Sequence, residues 1–311
     1  MAGQPLTVAV IGCGLIGESW SALLTAYGHD VIAWDPSANA FNGFVERVDS
    51  ARAQVQQLQR DLPLKVGRLR TVPDLSEAVS AAEWIQENAP ESAPLKMDLY
   101  TRIEDAASKD AIIASSTSSL TWSELSVQLR HSSRFITAHP FNPPHLMPLV
   151  EIYGANATVV DLAVNFYQSL GRQAVVLARD AVGHIANRLA SALWREAVNI
   201  VAEGIADVSA VDTALVNGPG LRWSVLGAHM AYHLGGGGGG MEHYLRHLGP
   251  SQERRWATLG SPSLTPEVCA LLVEGVQQEV GDQSIKDLEM QRDAALMRVL
   301  VARKGQENVV L

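Results

Sequence analysis

Leu6-Thr7-Val8-Ala9-Val10-Ile11-Gly12-Cys13-Gly14-Leu15-Ile16-Gly17 runs from six uncharged residues straight into a G-x-G-x-x-G. Leu6 to Ile11 reads as a fully buried β-strand and Leu15 to Tyr27 as a helix that Gly28 stops. Asp30 to Trp34 reads as a second buried strand. Strand, glycine turn and helix in this order are the context in which the motif has a physical purpose. The first glycine turns the chain, the second admits a pyrophosphate to the backbone, and the third lets helix pack on strand. The anion then lies at the helix N-terminus, facing unpaired N–H groups and the positive end of the helix dipole. Gly12, Gly14, Leu15, Ile16 and Gly17 are therefore candidate cofactor-binding residues.

Asp35 closes the second strand, 23 residues after Gly12. A carboxylate there accepts from both ribose hydroxyls and repels a 2′-phosphate. Pro36-Ser37-Ala38-Asn39-Ala40 supplies no cation to hold such a phosphate, so NAD is expected over NADP. Cys13, between two glycines, reads as a small residue in a tight turn.

Outward from this unit, short apolar runs continue to alternate with amphipathic stretches, the pattern of a doubly wound α/β sheet. Further strands are expected at Ala82 to Gln86, Ala111 to Ala114, Phe135 to Ala138 and Ala174 to Leu177. Residues 36 to 69 read as a polar, helical excursion, longer than an ordinary connection. After Arg179-Asp180 the period becomes helical, at 183–206, 208–217, 223–234, 241–248, 266–281 and 284–304. The expected architecture is a Rossmann-type doubly wound sheet domain over 1–180, followed by an all-α domain over 181–311 suited to homodimer formation. Gly235 to Gly240, six glycines in succession, read as a flexible surface loop or a mobile lid, since they cost too much backbone entropy for a helix interior.

Composition narrows the function. With 24 Lys and Arg against 33 Asp and Glu, the net charge is −9 and no basic stripe exists to neutralise phosphates, so no nucleic acid partner is expected. No apolar run approaches the roughly 20 residues that cross a bilayer, and Met1 to Thr7 lacks the pattern of a secretory signal. Two cysteines, Cys13 and Cys269, form neither a redox nor a zinc motif. A cytoplasmic chain without a metal or a membrane partner is expected.

A second constellation carries chemistry: Ala138-His139-Pro140-Phe141-Asn142-Pro143-Pro144-His145-Leu146-Met147-Pro148-Leu149-Val150-Glu151-Ile152. His139 ends a buried strand, at the sheet edge where ligands bind in open α/β folds. Four prolines between His139 and Glu151 force a loop. Leu149 to Ile152 can return as a strand, so the two side chains can be brought side by side. A carboxylate on one imidazole nitrogen fixes the tautomer and leaves the other nitrogen to take a proton.

This segment resembles the signature of the 3-hydroxyacyl-CoA dehydrogenase family, whose His–Glu pair has the same twelve-residue spacing. The resemblance extends over nearly the whole chain. Ile85-Gln86-Glu87-Asn88-Ala89-Pro90-Glu91, followed by Lys96, is similar to the family's acidic segment beside the nicotinamide, which implies cofactor contact by Glu91 and Lys96. Ala114-Ser115-Ser116-Thr117-Ser118-Ser119-Leu120 is similar to its serine motif and implies that Ser118 binds the reacting oxygen. Gly183-His184-Ile185-Ala186-Asn187-Arg188-Leu189 is similar to the segment carrying its active-site asparagine, here Asn187. The resemblance thus implies His139, Glu151, Ser118 and Asn187 as catalytic residues, with NAD as cofactor. Read alone, Ser115, Ser116 and Ser119 suit turns and helix caps, and Glu87 and Lys96 suit an ion pair at the surface. The other histidines carry no spacing argument.

Two details point to substrate. Residues 36 to 64 contain no lysine, only Arg47, Arg52 and Arg60, so the usual handle for a CoA nucleotide is missing. Ile16-Gly17-Glu18-Ser19-Trp20 and Gly218-Pro219-Gly220-Leu221-Arg222-Trp223 resemble the branch acting on free hydroxy acids, the L-gulonate 3-dehydrogenase (lambda-crystallin) and carnitine 3-dehydrogenase group. Arg222 suits a carboxylate clamp. Trp223, Trp194 (two helical turns after Asn187) and Tyr232 suit either a quaternary-ammonium pocket or the filling of a helical core. An L-3-hydroxyacyl-CoA dehydrogenase and a non-catalytic structural or sensing protein on the same fold are the alternatives.

Overall fold

The alternation within the first strand explains the layering. A computed structural model describes residues 5–59, 62 and 65–304; Arg60, most of Met1 to Thr7 and part of the 36–69 excursion lie outside the described residues. Eight strands form one sheet: β1 (Thr7–Ile11), β2 (Asp30–Trp34), β3 (Leu69–Val72), β4 (Trp84–Glu87), β5 (Ile112–Ser115), β6 (Phe135–Pro140), β7 (Leu149–Tyr153) and β8 (Gln173–Val176). Their order is β3-β2-β1-β4-β5-β6-β7-β8, and every neighbouring pair is parallel except β6 with β7.

Val8 and Val10 point to one face, against Trp20 and Leu23 of α1 (Leu15–Ala26) and Phe44 and Val48 of α2 (Phe44–Leu58). Ala9 and Ile11 point to the other. That face is covered by α3 (Leu75–Val79), α4 (Ala93–Ala106) and α5 (Trp122–Leu125) through Leu75, Leu99, Ile103 and Leu125. A strand with both faces covered must be apolar at every position, which is why residues 8–11 carry no charge. Helix α6 (Ala157–Ser169) returns to the first face with Ala163 and Tyr167.

The chain leaves β1 toward β2 and β3, then crosses back to β4 on the other side of β1. This reversal opens a crevice beyond the C-terminal ends of β1 and β4. Gly12 and Asn88 emerge there: Gly12 N–H donates to Trp34 O at 2.8 Å and Asn88 N–H to Ile11 O at 2.7 Å.

The chain divides into two compact units, Met1–Arg188 and Leu189–Leu311. Helix α7 (Ala186–Ala202) starts in the first and continues in the second. The second unit adds α8 (Val208–Asn217), α9 (Pro219–Trp223), α10 (Ala228–Gly235), α11 (Gly240–Trp256), α12 (Pro266–Val280) and α13 (Ile285–Arg303). Asp207, Thr265 and Ser284 cap α8, α12 and α13 by accepting from the amides of Ala210, Val268 and Asp287.

Several expectations need correction. One helix over 223–234 is instead α9 and α10, because Gly227 opens a new helix. Helix α11 does not stop at Leu248 but continues through Pro250, at the loss of one backbone bond. Strand β3 has no apolar signature in the sequence, because Leu69-Arg70-Thr71-Val72 is a short edge strand with two exposed polar residues. The glycine run lies at the surface, as a loop reading expects, but is short and locally ordered. Gly235 ends α10, Gly237–Gly239 make a 3-10 turn, and Gly240 begins α11. Gly240 has φ 58, and a Cβ there would lie 2.5 Å from the His233 ring, so a side chain has neither conformation nor room.

Candidate active site

The glycine turn meets the physical demands its spacing implies. Gly12 takes φ +94, and a Cβ there would stand 2.8 Å from Asn88 O. A Cβ on Gly17 would stand 1.8 Å from Gly12 O, so helix and strand can approach this closely only with glycine between them. At Gly14 a Cβ would meet nothing within 4 Å. That open space, in front of α1, is where an anion can reach the first-turn amides, and no side chain caps them. Asp35 is held by two amides, Cys13 N–H to Oδ2 and Ser37 N–H to Oδ1, both at 2.9 Å. The residues present therefore fit a dinucleotide. Burial, with Asp35 adding to it, pushes the Cys13 thiol up to about 12, so it is no nucleophile.

Antiparallel pairing of β6 and β7 sets the second part of the site. His139 and Glu151 are direct register partners, so their side chains leave the sheet on one face. His139 Nδ1 lies 2.9 Å from Glu151 Oε2, with both residues buried. A carboxylate only accepts, so Nδ1 carries the proton and Nε2 presents its lone pair. The other carboxylate oxygen, Oε1, accepts from the amides of Ile185 at 2.7 Å and Ala186 at 3.0 Å, where α7 begins. Burial alone would raise the Glu151 pKa. The bond from His139 and these two amides outweigh it and hold the carboxyl below its usual range. Asn187 Nδ2 stands 3.5 Å from both His139 Nε2 and Ser118 O. Thus Asn187 and the Ser118 loop lie beside the free nitrogen of His139. The Ser118 hydroxyl makes no hydrogen bond among the described residues.

Glu91 organises that loop. Its Oε1 accepts from the Thr117 hydroxyl at 2.7 Å and from the amides of Ser118 at 2.9 Å, Ser119 at 2.7 Å and Leu120 at 3.2 Å. Burial works against ionisation, but these donors and the nearby Lys96 charge hold Glu91 down to about 2. It is an anion across the neutral range.

Glu87 and Lys96 form no surface pair; they lie in the core. Lys96 Nζ donates to Glu87 Oε1 at 2.6 Å and to Ala89 O at 3.0 Å, and stands 3.8 Å from Glu91 Oε2. Tyr100 and Ser115 hydroxyls donate to Glu87 Oε2 at 2.6 and 2.7 Å. Ser115 therefore belongs to a buried network, and Ser116 bridges Gln86 and Asn88, rather than forming turns or caps. A signal was present in the sequence: Lys96 and Tyr100 are one helical turn apart and share a face with Glu87's strand beneath it.

Arg222, Trp223 and Trp194 belong to the second unit. Trp194 is 55% exposed, Trp223 40% and Tyr232 39%, so none fills a core there. Among the described residues no group of three or more His, Cys, Asp or Glu is placed to hold a metal ion. No helix is long and apolar enough to cross a membrane.

Comparison with known proteins agrees with this geometry. Residues 7–181 match the NAD-binding domain of 3-hydroxyacyl-CoA dehydrogenase, and residues 183–261 match its C-terminal domain. An L-carnitine dehydrogenase of Nocardiopsis dassonvillei is 41% identical over 305 residues, covering 97% of this chain and 93% of the relative. Another, from Pseudomonas putida, is 40% identical, with 97% and 95% covered. Among solved structures, a 5-formyl-3-hydroxy-2-methylpyridine 4-carboxylic acid 5-dehydrogenase, described as an NAD+-dependent dismutase, superposes with a TM-score of 0.85. It is 27% identical, and the match covers 98% of this chain and 100% of that one. With the glycine turn, the acid at the end of β2 and both domains in place, the chain belongs to the 3-hydroxyacyl-CoA dehydrogenase family and is an NAD-dependent oxidoreductase.

Proposed function

We propose that this enzyme oxidises the 3-hydroxyl of a small free 3-hydroxy carboxylate, carnitine-like or a sugar acid, to the 3-oxo acid. The observation that carries the chemistry is His139, with Glu151 on Nδ1 and Asn187 and the Ser118 loop beside Nε2. When bound, NAD supplies the acceptor for the hydride leaving C3. Gly12, Gly14, Leu15, Ile16 and Gly17 hold its pyrophosphate, and Asp35 its ribose. Glu91 borders the nicotinamide end, with Oε1 already committed to the serine loop. Lys96 supports it from the core, 3.8 Å from its Oε2, rather than offering the cofactor a free ammonium. Ser118 and Asn187 orient the substrate oxygen, His139 Nε2 takes its proton, and Glu151 stabilises the imidazolium so formed.

Three observations favour a free acid over a CoA ester. The relatives named L-carnitine dehydrogenase match over nearly the full length of both chains. Helix α2 carries no lysine, and its Arg47 and Arg52 are already paired with Glu18 and Asp49, each at 2.5 Å. The Arg222 guanidinium makes no hydrogen bond or ion pair among the described residues, and Trp223 stands next to it on an accessible helix. A planar guanidinium fork suits a carboxylate, and an accessible indole suits the quaternary ammonium of a carnitine-like acid. Replacing Arg222 by Met keeps much of the stem and removes the charge. We expect KM for the acid to rise about 10–100-fold, the worth of a charged hydrogen bond, with Tm unchanged. An unchanged KM, or a loss of activity that only follows unfolding, rules the clamp out.

The active form is proposed to be a homodimer built through the helical unit. Ile205, Leu221, Leu245, Trp256, Leu264 and Ile285 are each more than half exposed, while Val198, Asn199, Val208 and Tyr244 are its main buried side chains. A helical unit so poor in core needs a second apolar surface. Sedimentation equilibrium is expected to give twice the 33.5 kDa chain mass; a monomer contradicts this.

A further inference from the structure

His184 carries no spacing signal in the sequence, yet three independent features single it out. It has φ 49, a left-handed conformation rare for a residue with a side chain. Its ring is 2% exposed and lies over the His139 ring, with centroids 4.8 Å apart and planes tilted by 39°. Its Nε2 lies 3.1 Å from the carbonyl of Thr117, the residue before Ser118. A carbonyl only accepts, so Nε2 carries a proton, and in the neutral ring Nδ1 is the bare nitrogen. Nδ1 is left as a buried acceptor with no hydrogen bond among the described residues. A left-handed backbone and a buried acceptor without a donor both cost stability. Local folding alone gives no reason to keep them.

What they secure is geometric. Because residue 184 turns left-handed, the next two amides reach Glu151 Oε1, and the side chain of Asn187 reaches His139 Nε2. The ring meanwhile walls one face of His139 and ties the start of α7 to the serine loop through Thr117 O. We propose that His184 is a positioning residue: a neutral imidazole that fixes Ser118 and Asn187 about the free nitrogen of His139, and whose protonation disables the site. The proposal rests on His139 being the base.

The groups that face His184 are His139 on β6, Glu151 on β7, Asp180 after β8 and the Thr117 carbonyl. Burial lowers its pKa, and the His139 charge adds to this while the Thr117 bond, Glu151 and Asp180 oppose it. Protonation of His184 is thereby disfavoured. A proton forced onto Nδ1 at low pH has no acceptor and faces the imidazolium of His139.

Two variants separate the functions. His184→Phe keeps a ring against His139 but has no donor for Thr117, and kcat is expected to fall about 2–10-fold, the worth of one neutral hydrogen bond. His184→Asn adopts the left-handed turn readily but removes the ring, and kcat is expected to fall about 10²-fold as the site loses its alignment. Both are compared at equal folded fraction, judged by Tm and by NAD binding. In the wild type, log kcat/KM against pH steepens at the acid end from a slope of about one to about two, because two histidines must be neutral. In His184→Phe the slope stays near one. Turnover within two-fold of wild type in both variants overturns the role. So does a loss that merely tracks unfolding, or an acid slope that His184→Phe leaves unaltered. Full turnover in His139→Ala would instead remove the underlying assignment of the base, so the two failures are distinguishable.

Discussion

Replacing His139 by alanine is expected to lower kcat by about 10²–10⁴-fold, the usual contribution of a positioned acid–base group. The size follows from how completely this imidazole is arranged for one purpose. Glu151 fixes Nδ1 as the protonated nitrogen, and the α7 amides fix Glu151 in turn. Only Nε2 is left to receive a proton, with Asn187 3.5 Å away. Nothing in the glycine turn, at the far side of β4 and β5, depends on the ring, so NAD affinity should be unchanged. Steady-state kinetics with a cofactor titration checks both halves. Near-normal turnover removes the dyad from the mechanism.

Replacing Lys96 by methionine should cost about 3–5 kcal/mol of stability, because it strands a buried carboxylate. Glu87 and Lys96 are 0% and 1% exposed as side chains, and their 2.6 Å contact is the only charge compensation Glu87 has among the described ion pairs. Methionine fills most of the stem's volume, so the expected loss comes from charge rather than from a cavity. Lys96 also holds Ala89 O and neighbours Glu91, so the serine loop should loosen with it. The urea midpoint of the variant should drop accordingly. An unchanged midpoint means that Glu87 is held by its hydroxyl and amide donors alone.

Where physics imposes a pattern, the sequence could be read. Strand β2 was expected at Asp30 to Trp34 and lies there, since a strand with both faces covered leaves an unbroken apolar run between turn residues. The Glu151 strand was legible from the prolines, because a loop that cannot be helix or central strand must bring the chain back. The exact cross-strand pairing of His139 with Glu151 was not, since register is set by turn geometry and packing rather than by residue types. Buried polar networks leave almost no periodic trace. Glu87, Lys96, Tyr100 and Ser115 come from three elements, β4, α4 and β5, that only the assembled sheet brings together. His184 was illegible for a related reason: its role depends on one backbone dihedral and one carbonyl, neither of which a residue type encodes. The glycine run was legible as a break between helices, but not the reason for glycine at Gly239 and Gly240, where a Cβ would meet His243 and His233.

The central claim is NAD-dependent oxidation of a free 3-hydroxy acid, and NADH formation by the purified enzyme tests it most directly. L-carnitine, L-gulonate, other small 3-hydroxy acids and L-3-hydroxybutyryl-CoA are offered in turn with NAD, and kcat/KM is measured for each. One of the free acids is predicted to be turned over far more efficiently than the CoA ester, with NADP a poor substitute for NAD. A CoA ester that outperforms every free acid contradicts the account and returns the chain to acyl-CoA chemistry.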